Sequence, residues 1–225
     1  MRYCSLERKV GLSVGFPFHL RPKVAITPCW RLTCVEVDEV TLGKRAAAAD
    51  SGDRVVWDNF LGMMERGNSK SLVVIRLPTR STTKRSPGPG PITRKMWKPI
   101  AQRWVKDRRI LLHSDSAKAY NLKVPGMVHT KVIHQKKKVG DKWVKPRYVE
   151  IENVTTDDGD TIVLKKGTQY IDGWWRLLRK EVRRTMPPSG SAHMNAVVKF
   201  AQWKTWHQSE DLWVALGRVL RWHYA

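Results

Sequence analysis

In LTCVEVDEVTL, beginning at Leu32, apolar and polar residues alternate. Val35 and Val37 fall on one side and Cys34, Glu36 and Asp38 on the other, the pattern of a strand with one buried face. RVVWDNFLGMMERG and SLVVIRLP continue as two more strands with ERGNSK as the turn between them, which predicts an antiparallel meander. The basic Pro/Gly stretch TRSTTKRSPGPGPITRK is too broken for regular structure. MWKPIAQRWV then places Trp97, Ile100, Trp104 and Val105 at helical spacing, and Pro99 fits such a helix only in its first turn. RRILLHSD predicts a short buried strand, MVHTKVIHQ another, and KWVKPRYVEIENVTTDDGDTIVLKKG a hairpin turning at Asp157–Asp160. From there the period lengthens, and helices are expected at about 171–184, about 191–207 and about 209–223. Residues 1–30 scatter prolines and show neither period. The order predicts a mixed α/β layer fold with one antiparallel half and one parallel crossover.

The chain has 225 residues, enough for one substantial domain and its core. Forty-two lysines and arginines stand against 20 acids, a formal net charge of +22. Such an excess attracts polyanions, and nucleic acid is the commonest one a soluble domain meets. No apolar run approaches the roughly 20 residues that span a bilayer, and MRYCSLERKVG lacks the features of a signal peptide, so no membrane partner is expected. Cys4, Cys29 and Cys34 are odd in number and form no C-x-x-C pair, which predicts free thiols in a reducing compartment and no structural zinc.

Three acids could carry chemistry. Asp38 lies midway along the first strand, and Asp115 just past the end of the strand beginning at Arg109. A helical crossover that makes these strands parallel neighbours lets their acidic residues converge, and Asp172, on the first turn of the next helix, could close the group. Hard divalent cations want clustered carboxylate oxygens. Two such ions about 4 Å apart would activate a water or a 3′-hydroxyl and stabilise the leaving oxygen of a phosphodiester. Each acid also has an ordinary role: a strand-edge residue, a turn aspartate, and a helix-start acid paired with Arg176. On a helical wheel Ile171, Trp174, Trp175, Leu178 and Val182 form one apolar stripe, while Arg176, Arg179 and Arg183 fall within about 40° of Asp172. That basic ridge suits either solvent or a DNA backbone passing over the acid.

CVEVDEVTLGK resembles the first-aspartate strand of Merlin-related insertion-sequence transposases, a Val/Ile-Asp-Glu after a hydrophobic strand followed by Gly-Lys. VVWDNFLGMMERG looks like their second strand, with its Glu-Arg-Gly turn. ILLHSDSAKAY is similar to the strand of the second aspartate, with Tyr120 five residues later. VIHQ stands where the family has Val-Asn-His, and YIDGWWRLLRK matches its Ile-Glu-Gly-Phe-Trp helix. The resemblance implies a ribonuclease H-like mixed sheet, three antiparallel strands then helix-crossover strands, flanked by helices. It implies a catalytic triad of Asp38, Asp115 and Asp172 holding two Mg²⁺ or Mn²⁺ ions, with Glu36 behind Asp38 and His134 as a neighbour. Asp172 stands where the family has glutamate, one methylene longer, and Gln169 where an asparagine is common.

The implied organisation is an irregular segment over 1–30, a catalytic domain over 31–187 with a hairpin insertion at about 136–168, and a C-terminal helical extension over 188–225. Residues 1–30 do not read as the zinc ribbon or helix-turn-helix with which such transposases recognise element ends. The implied function is strand cleavage and 3′-hydroxyl strand transfer in DNA transposition. The implied partners are double-stranded DNA (transposon ends and target) and a second copy of the chain, in the nucleus of a eukaryote or otherwise the cytoplasm or nucleoid. A decayed or domesticated DNA-binding protein is the alternative, and a plain ribonuclease H-like nuclease a third. Lys84, Arg85, Lys136, Lys137 and Lys138, with Arg176, Arg179 and Arg183, are the candidate phosphate contacts. Most of the 11 tryptophans, including Trp213 and Trp222, fall at helical spacings and read as core packing rather than base-stacking platforms.

Overall fold

The computed structural model describes residues 32–47, 53–132, 137–144, 148–155 and 161–224. At its centre β1 (Thr33–Ala46), β2 (Arg54–Glu65) and β3 (Asn68–Arg76) form the antiparallel meander that the alternation predicts. The β2–β3 turn closes at Arg66 and Gly67, and Gly67 takes a φ of 74°, which costs a glycine little. A short strand, β4 (Arg80–Thr83), pairs with the outer end of β2 inside the stretch expected to be irregular. The Pro/Gly run that breaks regular structure begins only after it, and Ser81, Thr82 and Thr83 suit the edge that β2 offers.

α1 (Arg94–Trp104) carries the chain across to β5 (Ile110–Ser114), which pairs parallel with β1. β6 (Met127–Lys131) then pairs parallel with β5, giving a six-stranded mixed sheet ordered β3-β2-β1-β5-β6, with β4 on β2. α1 begins two residues earlier than expected because the Thr93 hydroxyl caps it, accepting from the Met96 amide. Pro99 therefore sits inside the helix rather than in its first turn. The carbonyl left without its usual donor belongs to exposed Lys95, where water can take it.

Each face of the sheet is buried. On one, Val35, Val37, Leu61, Met63 and Leu112 pack against Trp97 of α1 and Tyr120, which lies on a short 3-10 turn (Lys118–Asn121). On the other, Val40, Phe60, Met64, Leu72 and Val74 pack against α2 (Gln169–Thr185) and α3 (Ala192–Trp206). α2 buries Ile171, Trp174, Trp175 and Leu178, the stripe its sequence period marks out. At about 1.5–3 kcal/mol per buried large side chain, this seam holds the helix down firmly. α3 covers the edge strand: Gln202 and Trp206 donate to the Leu72 carbonyl at 3.0 and 2.8 Å, and Lys199 donates to that of Val74 at 3.0 Å. An edge dressed this way has fewer groups left to template a foreign strand.

Two ribbons complete the chain, β7 (Lys137–Val139) with β8 (Lys142–Val144), and β9 (Glu150–Thr155) with β10 (Thr161–Lys166). The expected turn at Asp157–Asp160 lies outside the described residues. α4 (Leu212–Tyr224) buries Ala215 but leaves Trp213 and Trp222 more than four-fifths exposed, at 82% and 84%. Those two tryptophans are not core residues. Helical spacing defines a stripe but cannot say whether a neighbouring layer exists to cover it.

Candidate active site

The parallel register of β1 on β5 pairs Glu36 with His113, so continuing the same offset sets Asp38 level with Asp115. β5 ends at Ser114 while β1 runs on, which leaves the carboxylates of β1 free to gather over the end of the shorter strand. One oxygen from each of Asp38, Glu39 and Asp115 lies within 4.8 Å of the others, a group able to hold a metal ion. Asp38 reaches it from the α2 face, and Trp175 Nε1 donates to its Oδ2 at 3.1 Å. Glu39 takes the hydroxyl of buried Tyr120. Asp115 is fixed by the Ala117 amide, which donates to its Oδ1 at 2.9 Å.

Trp175 reaches Asp38 because Gly62 stands opposite on β2. A Cβ at position 62 would lie 2.6 Å from the Trp175 ring and 2.7 Å from Ile171 Cδ1, so the missing side chain is the space into which α2 settles. Burial raises the Asp38 pKa well above its usual 3.8, and the nearby charges of Glu39, Asp172 and Asp115 push the same way. Burial likewise raises Glu39 to about 7, against the Tyr120 hydrogen bond and together with the charge of Asp115. Tyr120, fully buried, is driven well above its usual range by desolvation and then by the charge of Glu39.

Of the residues anticipated from sequence, Asp38 and Asp115 meet here. Asp172 sits close enough for its charge to act on Asp38 but outside the three-acid group. No ion pair joins it to Arg176 among the described residues; it accepts from the Thr168 hydroxyl at 3.1 Å. Glu36 is fully buried two residues before Asp38 and pairs with Arg66 at 2.7 Å. Arg176, Arg179 and Arg183 line the exposed side of α2. Lys84 and Arg85 are exposed past the end of β4, against the part of β2 that pairs with Lys44–Ala46, well along β1 from Asp38. His134 and Lys136 lie outside the described residues; Lys137 and Lys138 belong to β7, and their side chains are not described.

Glu39 was missed because strict alternation sends it to the face opposite Asp38, and only the early end of β5 lets the two converge. The signal lay in the adjacent Asp-Glu pair itself. His113 was missed too. Its Nδ1 meets the Thr130 hydroxyl at 2.9 Å, while Nε2 is buried with no partner among the described residues. Burial lowers its pKa to about 3, with the charges of Arg66, His129 and Lys166 adding to the effect. A base whose folded-state pKa lies below its unfolded value of 6.5 stabilises the fold fully above that pH and loses the contribution as pH falls toward 3. Between about pH 6.5 and 5 the parent should lose about 2 kcal/mol more than His113→Phe, measured by urea unfolding. Equal acid slopes in the two proteins contradict this.

Glu39 and Asp115 open onto a shallow cleft walled by Thr41, Asn59, Arg80, Pro89–Ile92 and Met96, in which Arg80 donates to the Gly90 and Pro91 carbonyls at 3.2 and 2.6 Å. Comparison with protein-family models, curated proteins and solved structures returned no match.

Proposed function

We propose that the chain is the catalytic domain of a DDE/D transposase, cutting DNA strands and joining them through a freed 3′-hydroxyl in a metal-dependent reaction. One observation carries the reading: the parallel pairing of β1 with β5 gathers Asp38, Glu39 and Asp115 over a strand end, beside a cleft. The sheet order β3-β2-β1-β5-β6, antiparallel through β1 and parallel beyond it, agrees with a ribonuclease H-like fold.

The donor set fits a hard divalent cation. All three groups are carboxylates, and the burial and mutual repulsion that drive Asp38 and Glu39 toward protonation are relieved by a double positive charge. Asp38, Glu39 and Asp115 would hold Mg²⁺ or Mn²⁺, with Asp172 serving a second ion. When bound, such ions activate the attacking water or hydroxyl and stabilise the leaving oxygen. Trp175 and the Ala117 amide fix the orientation of two of the carboxylates. The exposed arginines of α2 would hold the DNA backbone beside the acids through sequence-independent phosphate contacts.

The position of Asp172 outside the three-acid group favours one second reading, a DNA-binding protein derived from such an enzyme that no longer cuts. Both are tested on supercoiled plasmid with Mg²⁺ or Mn²⁺. The transposase reading expects nicking that Asp115→Asn reduces at least about a thousandfold while DNA affinity stays within about twofold. Binding without nicking in the parent supports the second reading, and binding indifferent to salt contradicts both.

A further inference from the structure

A clip of side chains ties the start of α2 to the sheet beside the acids. Glu36 Oε2 accepts from the Tyr170 and Ile171 amides at 2.8 and 3.1 Å, two of the helix-start donors that have no partner within the helix. Its other oxygen takes Nε of Arg66, from the β2–β3 turn, at 2.7 Å. The remaining arms of that guanidinium donate to the Lys165 and Gly167 carbonyls, the latter at 2.7 Å, just before the helix. Arg66 thus grips both β1, through Glu36, and the approach to α2. The next residue after the two clipped amides is Asp172, and the next residue on the same face of β1 after Glu36 is Asp38.

We infer that Arg66 and Glu36 are positioning residues: the clip fixes the gap between Asp172 and Asp38, and through it the strength with which a divalent cation is held between them. The inference rests on the metal-site reading above. Without the clip the helix is still held by Ile171, Trp174, Trp175 and Leu178, but its first turn loses two amide bonds to β1 and Asp172 is held less closely to Asp38. Neither residue touches the ion or the DNA. Their effect passes through Asp172.

Arg66→Lys keeps a positive charge but cannot reach all three acceptors at once, and Glu36→Gln keeps one oxygen for the helix amides but loses the charged pairing, so either serves if the other fails to fold. Two readouts on the full chain test the idea. Hydrogen exchange at the Tyr170 and Ile171 amides should quicken about tenfold while Val37 and Leu61 stay protected. Calorimetric titration with Mn²⁺ should show about tenfold weaker binding for the ion whose affinity Asp172→Asn also lowers. The same clip substitution should leave unchanged whatever Mn²⁺ binding remains in the Asp172→Asn chain. Unaltered exchange, unaltered Mn²⁺ affinity, or equal weakening in the Asp172→Asn chain overturns the inference. A parent that binds no Mn²⁺ contradicts the metal site and this inference together, whereas parent binding that the clip variants leave intact contradicts the inference alone.

Discussion

Gly62→Ala is expected to lower the melting temperature by about 5 °C or more, equivalent to about 2–3 kcal/mol in a chain of this size. The added methyl would lie 2.6 Å from Trp175 and 2.7 Å from Ile171, both buried and with little freedom to move aside. The cheapest relief is for α2 to rise from β1 and β2. That movement takes the Trp175 indole from Asp38 and moves Asp172 outward, so loss of stability and loss of metal affinity should appear together. Gly173→Ala makes the contrast, because nothing lies within 4 Å of its added methyl. In a helix that change should stabilise by about 0.5–1 kcal/mol. Differential scanning calorimetry of the two variants reads both signs, and a Gly62→Ala chain as stable as the parent contradicts the close seating of α2.

The second large effect has an unusual sign: Asp38→Asn should stabilise the metal-free chain while abolishing the proposed nicking. Asp38 is held well above its ordinary value of 3.8 by burial and by the charges of Glu39, Asp172 and Asp115. A carboxyl with a raised folded-state pKa binds protons more readily folded than unfolded, so its share of stability is full below the unfolded value and drains away as pH rises toward the folded one. At neutral pH the parent bears that loss, and asparagine does not, although its amide oxygen can still accept from Trp175. In chelator at pH 7.5 the variant should melt higher than the parent. Near pH 4 the difference should vanish. A lower melting temperature for Asp38→Asn at neutral pH contradicts the claim that burial and the neighbouring acids penalise the charged carboxylate without a cation.

Much of this arrangement was legible from the chain. The alternation through Val35, Val37 and Asp38 carries β1, and an apolar run ending abruptly before Asp115 carries β5, so the approach of two acids followed from one parallel crossover. The stripe of Ile171, Trp174, Trp175 and Leu178 likewise fixed the buried side of α2. What escaped depends on distances that no period encodes. Glu39 joins the group only because β5 is shorter than β1. Arg66 looks like any turn arginine until the approach to α2 returns beside it, about a hundred residues later. Gly62 reads as a weak point in a strand, although its lack of a side chain is what admits Trp175. The exposed tryptophans of α4 mark the converse error, in which a regular spacing was taken for a buried face.

The central claim is that Asp38, Glu39 and Asp115 form a cation site on which phosphodiester chemistry can be built. Thermal unfolding of the full chain in chelator and in graded Mn²⁺ tests it most directly, since an ion that binds only the folded state raises stability with its concentration. At a hundredfold excess over the dissociation constant the gain is about 2.7 kcal/mol, or roughly 5–11 °C here. The parent should show that rise, and Asp38→Asn and Asp115→Asn should lose most of it. A parent that melts at the same temperature in chelator and in millimolar Mn²⁺ would contradict the account.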